Sequence, residues 1–432
     1  SPPINITVNK RPTVIIANDI ISPEGSIVEL CQGQKVPKFE AAPQTGITYT
    51  WYSDISLQTK EGSGEEFLPP VDKNLLGTTN FFVTKTNTGC ESAAGNLSVT
   101  VRQLPKMSLT WKNVCRDDAS GLSATEFLAT ELSQPPITNL TYNWDFNITN
   151  SLTYSSAGSG TNPQVSYNID GKDSVLLIAT TQFLCADTVK KPIYIVPKFA
   201  KLTKDNSYAQ NFNTNPDGWI IGGTNPSWEW GTLESKGQQD PLTHDKGWDT
   251  NLKTSVNKGY SNQNEQSWVL SRCFNFTESE KPVIGLDIFS DTPSVVDGAV
   301  LQFNTNGNIE DDASWTTLGE VDKGINWYDA QGISSKPGNQ AVNDLGWTGN
   351  ESTTSGKYKE WQRAYYRLDD LKGFDNVVFR IAFASRTGQT DGFAFDDFFI
   401  GERSRVVLLE NFTNSSSDVS VNNNTYKGLG NT

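Results

Sequence analysis

The sequence predicts an all-β protein, and three observations lead to that prediction. Stretches such as "TYTWY" and "FFVTKT" alternate apolar and polar residues, which is the period of a half-buried strand. Long runs of Ala, Glu, Lys, Leu and Arg, which would indicate helices, do not occur. Asn, Thr, Ser and Gly are abundant, and 11% of the residues are aromatic, a composition typical of secreted β-rich modules. At 432 residues the chain has room for about three or four domains.

Charge and hydropathy exclude several functions. The chain has 35 basic and 49 acidic residues, a net charge of −14, so it repels phosphate backbones and we expect no nucleic-acid binding. The longest apolar run, "SVLLIA" at 174–179, has the length of a strand, whereas a membrane helix needs roughly 20 residues, so no transmembrane segment is predicted. His244 is the single histidine, which leaves few nucleophilic or zinc sites, and we expect no enzyme.

The first residues look like the end of another domain. Residues 1–12 contain "INITVNKRP", an alternating strand followed by proline, and "LSVTVRQLP" repeats this pattern at 97–105, where it closes a domain. We therefore interpret 1–12 as the last strand of an upstream module or a linker. Ser1 leads directly into this strand, so we expect an internal or processed fragment.

Residues 13–103 place Cys31, Trp51 and Cys90 in "VELCQGQKV", "ITYTWYSD" and "NTGCES". The segment resembles the Ig-like modules of large surface proteins of Bacteroidota, in which "CQGQ" and "GCES" recur. The resemblance implies an Ig-like β-sandwich in which Trp51 packs against a Cys31–Cys90 disulfide between the sheets. Such a bridge would stabilise the fold by roughly 4 kcal/mol and indicates an oxidising compartment.

Residues 104–197 repeat the plan with Cys115 in "WKNVCRDD", Trp144 in "YNWDF" and Cys185 in "FLCADTV". They resemble a PKD-like domain, another β-sandwich, although "WDFNIT" replaces the usual "WDFGDG". The resemblance implies a second disulfide, between Cys115 and Cys185. Cys273, in "LSRCFNF" on a predicted strand, is expected to be a buried free thiol.

Residues 198–403 contain "NTNPDGWIIGG", "PVIGLDIFSD", "EWQRAYYRLDDL" and "DGFAFDDFFIGE" in that order. They resemble a MAM-type jelly roll, a fold of adhesive extracellular proteins that also occurs beside secreted bacterial enzymes. A segment rich in Gly, Asn and Ser, 323–357, is predicted to be an insertion that could carry binding. Residues 404–432, with "VVLLENFT", resemble the start of a thioredoxin-like surface domain, truncated and with serines in place of the redox cysteines.

Asp396 and Asp397 are adjacent near the end of the predicted last strand. Neighbours in a regular strand point to opposite faces, so the two carboxyls could flank one scissile bond only at a bulge. The jelly-roll resemblance instead implies a structural calcium, with Asp396 or Asp397 on the last strand and Asp217 or Asn215 in the first loop as ligands. The alternative is that one aspartate caps backbone amides at the strand end.

Tryptophans are the other candidates for binding. Trp228 and Trp230, two apart in "SWEW", should share a strand face on which sugars could stack. Trp347 lies in the polar insertion "NDLGWTGNES" and is predicted to be an exposed contact. The alternative for these residues is ordinary core packing.

Taken together, the sequence predicts tandem β-sandwiches in a non-catalytic region of a large modular surface protein, acting as an adhesin or scaffold. The resemblance points to outer-membrane-associated proteins of Bacteroidota, including those of gliding motility and type IX secretion. The implied partners are other envelope or outer-membrane proteins, or a surface polysaccharide. The alternative is an ancillary or carbohydrate-binding region of a secreted hydrolase whose catalytic domain lies elsewhere.

Overall fold

The computed structural model describes residues 12–13, 20–22, 27–233, 245–250, 264–349, 361–386, 392–403, 419–421 and 424–426. These residues form strands joined by turns and three short 3-10 helices, so the all-β prediction is confirmed. The chain divides into two compact units, residues 1–108, 129–143 and 177–189, and residues 109–128, 144–176 and 190–432. Within the described part, no helix is long and apolar enough to span a membrane. The domain boundaries given above stay predictions.

The first unit begins with two facing sheets. Its strands are β1 Ile20–Ser22, β2 Ile27–Cys31, β3 Phe39–Ala41, β4 Ile47–Tyr52, β5 Lys60–Ser63, β6 Glu66–Phe67, β7 Gly77–Asn87, β8 Cys90–Glu91 and β9 Gly95–Arg102. One sheet has the order β1-β3-β6, and the other has the order β2-β9-β7-β4-β5 with β8 beside β7. β2 runs parallel to β9, whereas β7 runs antiparallel to both β4 and β9.

Trp51 lies at the centre of this sandwich and exposes none of its surface. Its ring stacks on Phe67 at 5.1 Å between centroids and lies 6.4 Å from Phe39. The indole Nε1 donates a hydrogen bond to the carbonyl oxygen of Gly64 at 2.8 Å, so the buried polar atom is satisfied. Trp51 is therefore a core residue as predicted, but aromatic rings surround it where the sequence suggested a disulfide.

Cys31 pairs with Cys185, and the predicted Cys31–Cys90 bridge is wrong. Cys31 ends β2 opposite Arg102, and the Arg102 guanidinium lies 3.8 Å from the ring of Phe183, two residues from Cys185. Cys90, on β8, lies opposite Asn87 at the last residue of β7. The first residue of β7 lies opposite Val101, next to Arg102. At about 3.3 Å per residue, the ten residue steps of β7 separate these ends by roughly 33 Å, and a disulfide needs Cα atoms within about 7 Å.

The next strands continue from residue 107 to residue 201. They are β10 Met107–Lys112, β11 Cys115–Asp117, β12 Thr125–Glu131, β13 Thr141–Asp145, β14 Tyr154–Ala157, β15 Gln164–Tyr167, β16 Gly171–Thr180 and β17 Ala186–Lys201. In the second unit, β12, β15 and β14 are neighbours in one antiparallel sheet. Phe127 is fully buried there and contacts Trp111, Trp144 and Phe146 with ring centroids 5.2–6.0 Å away.

Most of the remainder of the second unit forms a pair of sheets. Its strands are β18 Tyr208–Gln210, β19 Ile220–Thr224, β20 Glu229–Thr232, β21 Lys246–Asp249, β22 Glu265–Asn275, β23 Pro282–Asp291, β24 Gly298–Asn304, β25 Thr316–Thr317, β26 Trp347–Thr348, β27 Gln362–Arg367, β28 Val377–Ser385 and β29 Gly392–Glu402. The 3-10 helices are Asp312–Ser314, Pro337–Asn339 and Asp369–Leu371.

One of these sheets has the order β20-β21-β29-β23-β27, with β18 beside β29; we call it the six-stranded sheet. The other includes β17-β22-β28-β24-β25, with β19 beside β22 and β26 beside β24. Aromatic rings fill the space between them, and Phe398 of β29, for example, contacts Tyr208, Trp219 and Phe274.

Cys115 pairs with Cys273, so the predicted Cys115–Cys185 bridge and the predicted free thiol at Cys273 are both wrong. β11 and β22 each run parallel to β17, and this arrangement brings the two Cα atoms to 5.7 Å. Cys90 takes part in neither disulfide. Four half-cystines in two bridges fit an extracellular or surface location.

Some predictions lie outside the described residues. These are the upstream strand at 1–11, His244, and most of the thioredoxin-like start at 404–432. Within that last region only β30 Val419–Val421 and β31 Asn424–Tyr426 are described, and they pair antiparallel. The thioredoxin-like interpretation stays a prediction.

Candidate functional site

Trp347 is buried, with 2% of its surface exposed, so its predicted exposure is wrong. Its ring contacts Trp327 at 5.0 Å and Tyr328 at 4.8 Å. Its indole Nε1 donates a hydrogen bond to the carbonyl oxygen of Asn326 at 3.0 Å. The polar insertion folds back on its own aromatic residues, which its Gly- and Asn-rich composition did not indicate.

Trp228 and Trp230 do not share an open face. Trp228 exposes 3% of its surface and packs against Phe395 at 5.8 Å, because it precedes β20 and turns into the core. Trp230 is half-buried; its Nε1 donates to the carbonyl oxygen of Phe212, and the Lys246 ammonium lies 5.6 Å from its ring. The prediction that Trp228 forms part of a sugar-binding face is therefore wrong. A sugar contact through Trp230 stays a prediction.

A β-bulge interrupts β29 at the paired aspartates. Gly285 of β23 is opposite Phe399 and Asp287 is opposite Asp396, so two residues of β29 face one residue of β23. Asp397 occupies the left-handed region with a φ of 46°. The bulge is the exception allowed for above, so regular alternation ends at Asp396.

The bulge decides which aromatic residues face outward. Phe395 and Phe398 both contact Trp219 in the core, at 5.5 and 4.8 Å, although they are three residues apart. Regular alternation would place them on opposite faces. The extra residue returns Phe398 to the core and leaves Asp397 and Phe399 on the outer face, where both are partly exposed.

The carboxyl of Asp396 is fully buried on this sheet. Burial, together with the charges of Asp397 and Asp287, raises its pKa to about 8. Its Oδ1 accepts a hydrogen bond from the backbone N–H of Asp397 at 2.7 Å, and its Oδ2 has no hydrogen-bond partner. Because no part of Asp396 is exposed, it has no surface on which to contact a substrate.

The other predicted calcium ligands have protein partners. Asp217 accepts a hydrogen bond from the Tyr208 hydroxyl at 2.7 Å and forms an ion pair with Arg272 at 3.0 Å. Asn215 accepts from the backbone N–H of Asp217 at 2.8 Å. In the described ranges, no three His, Cys, Asp or Glu side chains are grouped as metal ligands. A calcium at Asp396, Asp397, Asp217 and Asn215 stays a prediction.

The outer face of the six-stranded sheet carries an open depression of about 670 Å³, which we call the aromatic groove. That volume lies within the usual range for ligand sites. Its lining comes from β18, β23, β27 and β29 and consists of Ala209, Gln210, Asn211, Asp287, Arg363, Tyr365, Asp397, Phe398 and Phe399.

Two aromatic rings of the groove lie against glycines. A Cβ at Gly285 would fall 2.4 Å from Cε1 of Tyr365, and a Cβ at Gly401 would fall 2.5 Å from Cζ of Phe399. Real side chains essentially never approach so closely. A side chain at either position would therefore force the neighbouring ring to shift, and glycine at both positions lets the rings lie against the sheet beside the groove.

Arg363 supplies fixed positive charge beside the rings. Its Nη1 donates to Oδ1 of Asp287 at 3.2 Å and to the carbonyl oxygen of Asp397 at 2.5 Å. Its guanidinium carbon lies 5.0 Å from the centroid of the Tyr365 ring. Burial lowers the pKa of Arg363, but the charges of Asp287 and Tyr365 and the hydrogen bonds with them together outweigh burial and leave the pKa above its usual value.

Two amide side chains complete the lining. Gln210 accepts from the backbone N–H of Phe212 at 2.9 Å, and Asn211 accepts from that of Asn213 at 3.3 Å. Each amide oxygen is thereby oriented, and the amide nitrogens have no hydrogen-bond partner in the described part of the chain. They are available as donors to a ligand.

Sequence reasoning did not find Tyr365, Phe399 or Arg363. A signal was present, because Gly285 in "VIGLDIF" and Gly401 in "FFIGE" interrupt strongly apolar strands. A glycine inside a strand marks a place where another group approaches the backbone closely. What it cannot indicate is which ring fills the space.

Comparisons with known proteins bear on the first unit. The family model "Ig-like domain CHU_C associated" matches residues 22–105. That segment is similar to this Ig-like family, in agreement with the sandwich around Trp51. No curated protein matches the chain.

Solved structures match at low similarity. The K1 cleaved adhesin domain of Lys-gingipain from Porphyromonas gingivalis W83 has 10% identity and a TM-score of 0.29, covering 46% of this chain and 98% of that one. A structure of carbohydrate-binding modules from the β-sandwich superfamily has 14% identity and a TM-score of 0.26, covering 69% of this chain and 99% of that one. Both TM-scores lie below 0.5, and no function is assigned from them.

Proposed function

We propose that this chain is a non-catalytic region of a modular surface protein that acts as an adhesin or scaffold. The observation that carries the proposal is the aromatic groove, a concave site on a rigid sheet with polar groups already oriented toward a ligand. The Ig-like match at 22–105 and the two disulfides support a location outside the cell. In this proposal the Ig-like sandwich acts as a spacer and the groove makes the contact.

Single contacts of this kind become strong through repetition. A surface protein present in many copies can engage a polymeric ligand at several points, and the effective concentration then raises the overall avidity without new contacts. The two disulfides maintain the sandwiches outside the cell, where unfolding would be followed by proteolysis.

A finer proposal concerns the bacterial group that the protein comes from and the surface machinery in which it acts. The matched Ig-like family is associated with Bacteroidota, which supports a surface protein of those bacteria. We extend this to an outer-membrane-associated role, including a part in gliding motility or type IX secretion, with envelope proteins or a surface polysaccharide as partners. This extension rests on the sequence resemblance alone.

Surface labelling and gentle extraction test the proposed function. Intact source cells are treated with a membrane-impermeant biotin reagent, and the native protein is then purified and identified with its companions by mass spectrometry. We expect biotin on this chain and co-purification with outer-membrane proteins. Labelling only after lysis would overturn the surface location.

The groove also favours a second candidate, an ancillary carbohydrate-binding region of a secreted hydrolase. The same experiment separates the two. Recovery from the medium in one polypeptide with a hydrolytic domain would establish the second candidate and exclude the scaffold.

Calcium is proposed separately and has its own test. If calcium binds at the predicted ligands, a chelator lowers the melting temperature of the chain, and the double variant Asp396→Asn with Asp397→Asn no longer responds to the chelator. An unchanged melting temperature in the wild-type chain would exclude the site. Magnesium added after chelation serves as a control for a general effect of divalent ions.

A further inference from the structure

We propose that the aromatic groove binds an uncharged polysaccharide, with successive sugar rings stacked on Tyr365 and Phe399. The inference rests on the proposed adhesive function and deepens it, because it names the class of ligand. It also moves the predicted glycan contact away from the buried Trp347 and Trp228.

The positions of the two aromatic residues on the strands that flank β23 suit a chain of sugars. Tyr365 and Phe399 are both directly opposite Gly285, one on each side of β23. Their backbones are therefore two strand spacings apart, about 10 Å. Aromatic faces carry negative charge density and attract the weakly positive C–H groups of a sugar face. The two aromatic faces can hold neighbouring or alternate sugars of one chain.

The polar groups of the groove match hydroxyls. A sugar hydroxyl both donates and accepts, so it binds best where donors and acceptors lie side by side. Arg363 and the amides of Gln210 and Asn211 supply donors, and the carboxylate of Asp287 supplies acceptors. The Arg363–Asp287 pair is partly exposed, with 20% and 16% of the side-chain surface accessible, so its outer edge is open to a ligand.

Charge argues against an acidic polysaccharide. The groove contains Asp287 and Asp397 but only one cation, Arg363. The whole chain has a net charge of −14, which repels polyanions at a distance.

The backbone argues against a peptide added as an extra strand, because that mode needs an unpaired edge. Phe399 pairs with Ala209 on one side and with Gly285 on the other. Tyr365 pairs with Gly285 and, on its outer side, exchanges two backbone hydrogen bonds with Ile325 at 2.9 and 3.0 Å. Each backbone beside the rings is thus paired on both sides.

The rings are ordered before any ligand arrives. Gly285 and Gly401 accommodate them at distances that a Cβ would not allow, so the binding surface needs little rearrangement. A site that is already in its binding conformation loses less entropy when the ligand binds. This suits repeated contacts that are weak individually.

The experiment is a calorimetric titration of the full 432-residue chain with soluble neutral hexasaccharides. The hexasaccharides are derived from β-glucan, xylan and mannan. An acidic hexasaccharide and a β-strand-forming peptide are titrated in parallel. We expect binding to at least one neutral hexasaccharide. Tyr365→Ala and Phe399→Ala should each weaken it at least tenfold, which corresponds to about 1.4 kcal/mol.

Matched variants separate stacking from folding. Tyr365→Phe keeps the ring and should retain binding, whereas Tyr365→Leu fills the space over Gly285 without a π face and should not. Phe374→Ala removes an aromatic side chain that is 44% exposed away from the groove and should leave affinity unchanged. Melting curves of every variant establish that the chain is folded.

Three results would overturn the inference: no binding to any neutral hexasaccharide, binding only to the acidic sugar or the peptide, or full affinity in the Tyr365→Ala, Phe399→Ala double variant. Each of these refutes the ligand class and leaves the surface location to the labelling experiment. If the chain is absent from the cell surface but binds neutral sugars through these rings, the proposed function fails and the inference stands.

Discussion

The Ig-like sandwich and the six-stranded sheet use aromatic residues in different ways. In the sandwich, Phe39, Trp51 and Phe81 are all buried at 1% exposure or less, so these three aromatic residues serve stability. In the six-stranded sheet, Phe398 is equally buried, but its neighbour Phe399 faces outward. The number of aromatic residues therefore says little about binding. Binding is indicated where a ring lies on a glycine at the outer face of a sheet.

The difference has a local cause. A regular strand such as β4 keeps its alternation, and the burial of Tyr49 and Trp51 follows it. β29 carries a bulge at Asp397, which places Phe398 in the core and Phe399 on the outer face, the reverse of what regular alternation from Phe395 would give. Bulges commonly redirect side chains near functional sites.

The largest expected effect concerns the disulfide that closes the first unit. Replacing Cys31 and Cys185 by serine removes a bridge between residues 154 apart in sequence. For a loop of that length the chain-entropy model gives about 5 kcal/mol of lost stability. Denaturant titration measures the loss, and Cys90→Ser serves as the control with a much smaller effect. Equal losses in Cys90→Ser and Cys31→Ser would instead support the Cys31–Cys90 pair.

Trp51→Ala tests how much the buried Trp51 ring stabilises the Ig-like sandwich. The ring is fully buried and hydrogen-bonded, so we expect a loss of about 4 kcal/mol in the free energy of unfolding. Leu75→Ala, at a side chain that is 71% exposed, should change it by less than about 0.5 kcal/mol. A loss below about 1 kcal/mol for Trp51→Ala would contradict the core role.

The two phenylalanines beside the bulge give a matched comparison within one strand. Phe398→Ala should lower the free energy of unfolding by about 4 kcal/mol, because Phe398 exposes no surface. Phe399→Ala should lower it by about 1 kcal/mol, because that ring is partly exposed. Urea titrations of the two variants measure the difference. A larger loss for Phe399→Ala than for Phe398→Ala would mean that β29 keeps regular alternation in solution, because Phe399 would then share the core face with Phe395.

The most gradual expected effect is the pH dependence contributed by Asp396. Its pKa is about 8 in the folded chain and about 3.9 when unfolded, so between these values the native state holds more protons. Stability should therefore fall as pH rises through this window, by at most about 1.4 kcal/mol per pH unit. Asp396→Asn removes this contribution, so the variant gains stability relative to wild type between pH 5 and pH 7.

The measurement contains its own control, because wild type and Asp396→Asn are compared at both pH 5 and pH 7. Any effect of the asparagine that does not depend on pH cancels in that difference. Urea titrations of both proteins at each pH supply the four free energies. Parallel pH dependence in wild type and variant would show that Asp396 is ionised in the folded chain.

The sequence by itself determined the fold class and much of the core. Alternation placed strands around Trp51, and the Cys-Trp spacing with "CQGQ" identified the Ig-like segment, because these signals depend only on neighbours along the chain. It also indicated, through Gly285 and Gly401, where something approaches the backbone closely.

Only the tertiary structure decided the disulfide pairing and the binding face. Cys31 meets Cys185 where Arg102 contacts Phe183, between segments far apart in sequence, and no local pattern contains that information. The polar insertion was predicted to expose Trp347, yet Trp327 and Tyr328 bury it. The outward position of Phe399 depends on one extra residue in the register of β29 against β23. Register is a property of two strands together, and a one-residue shift moves every later side chain to the other face.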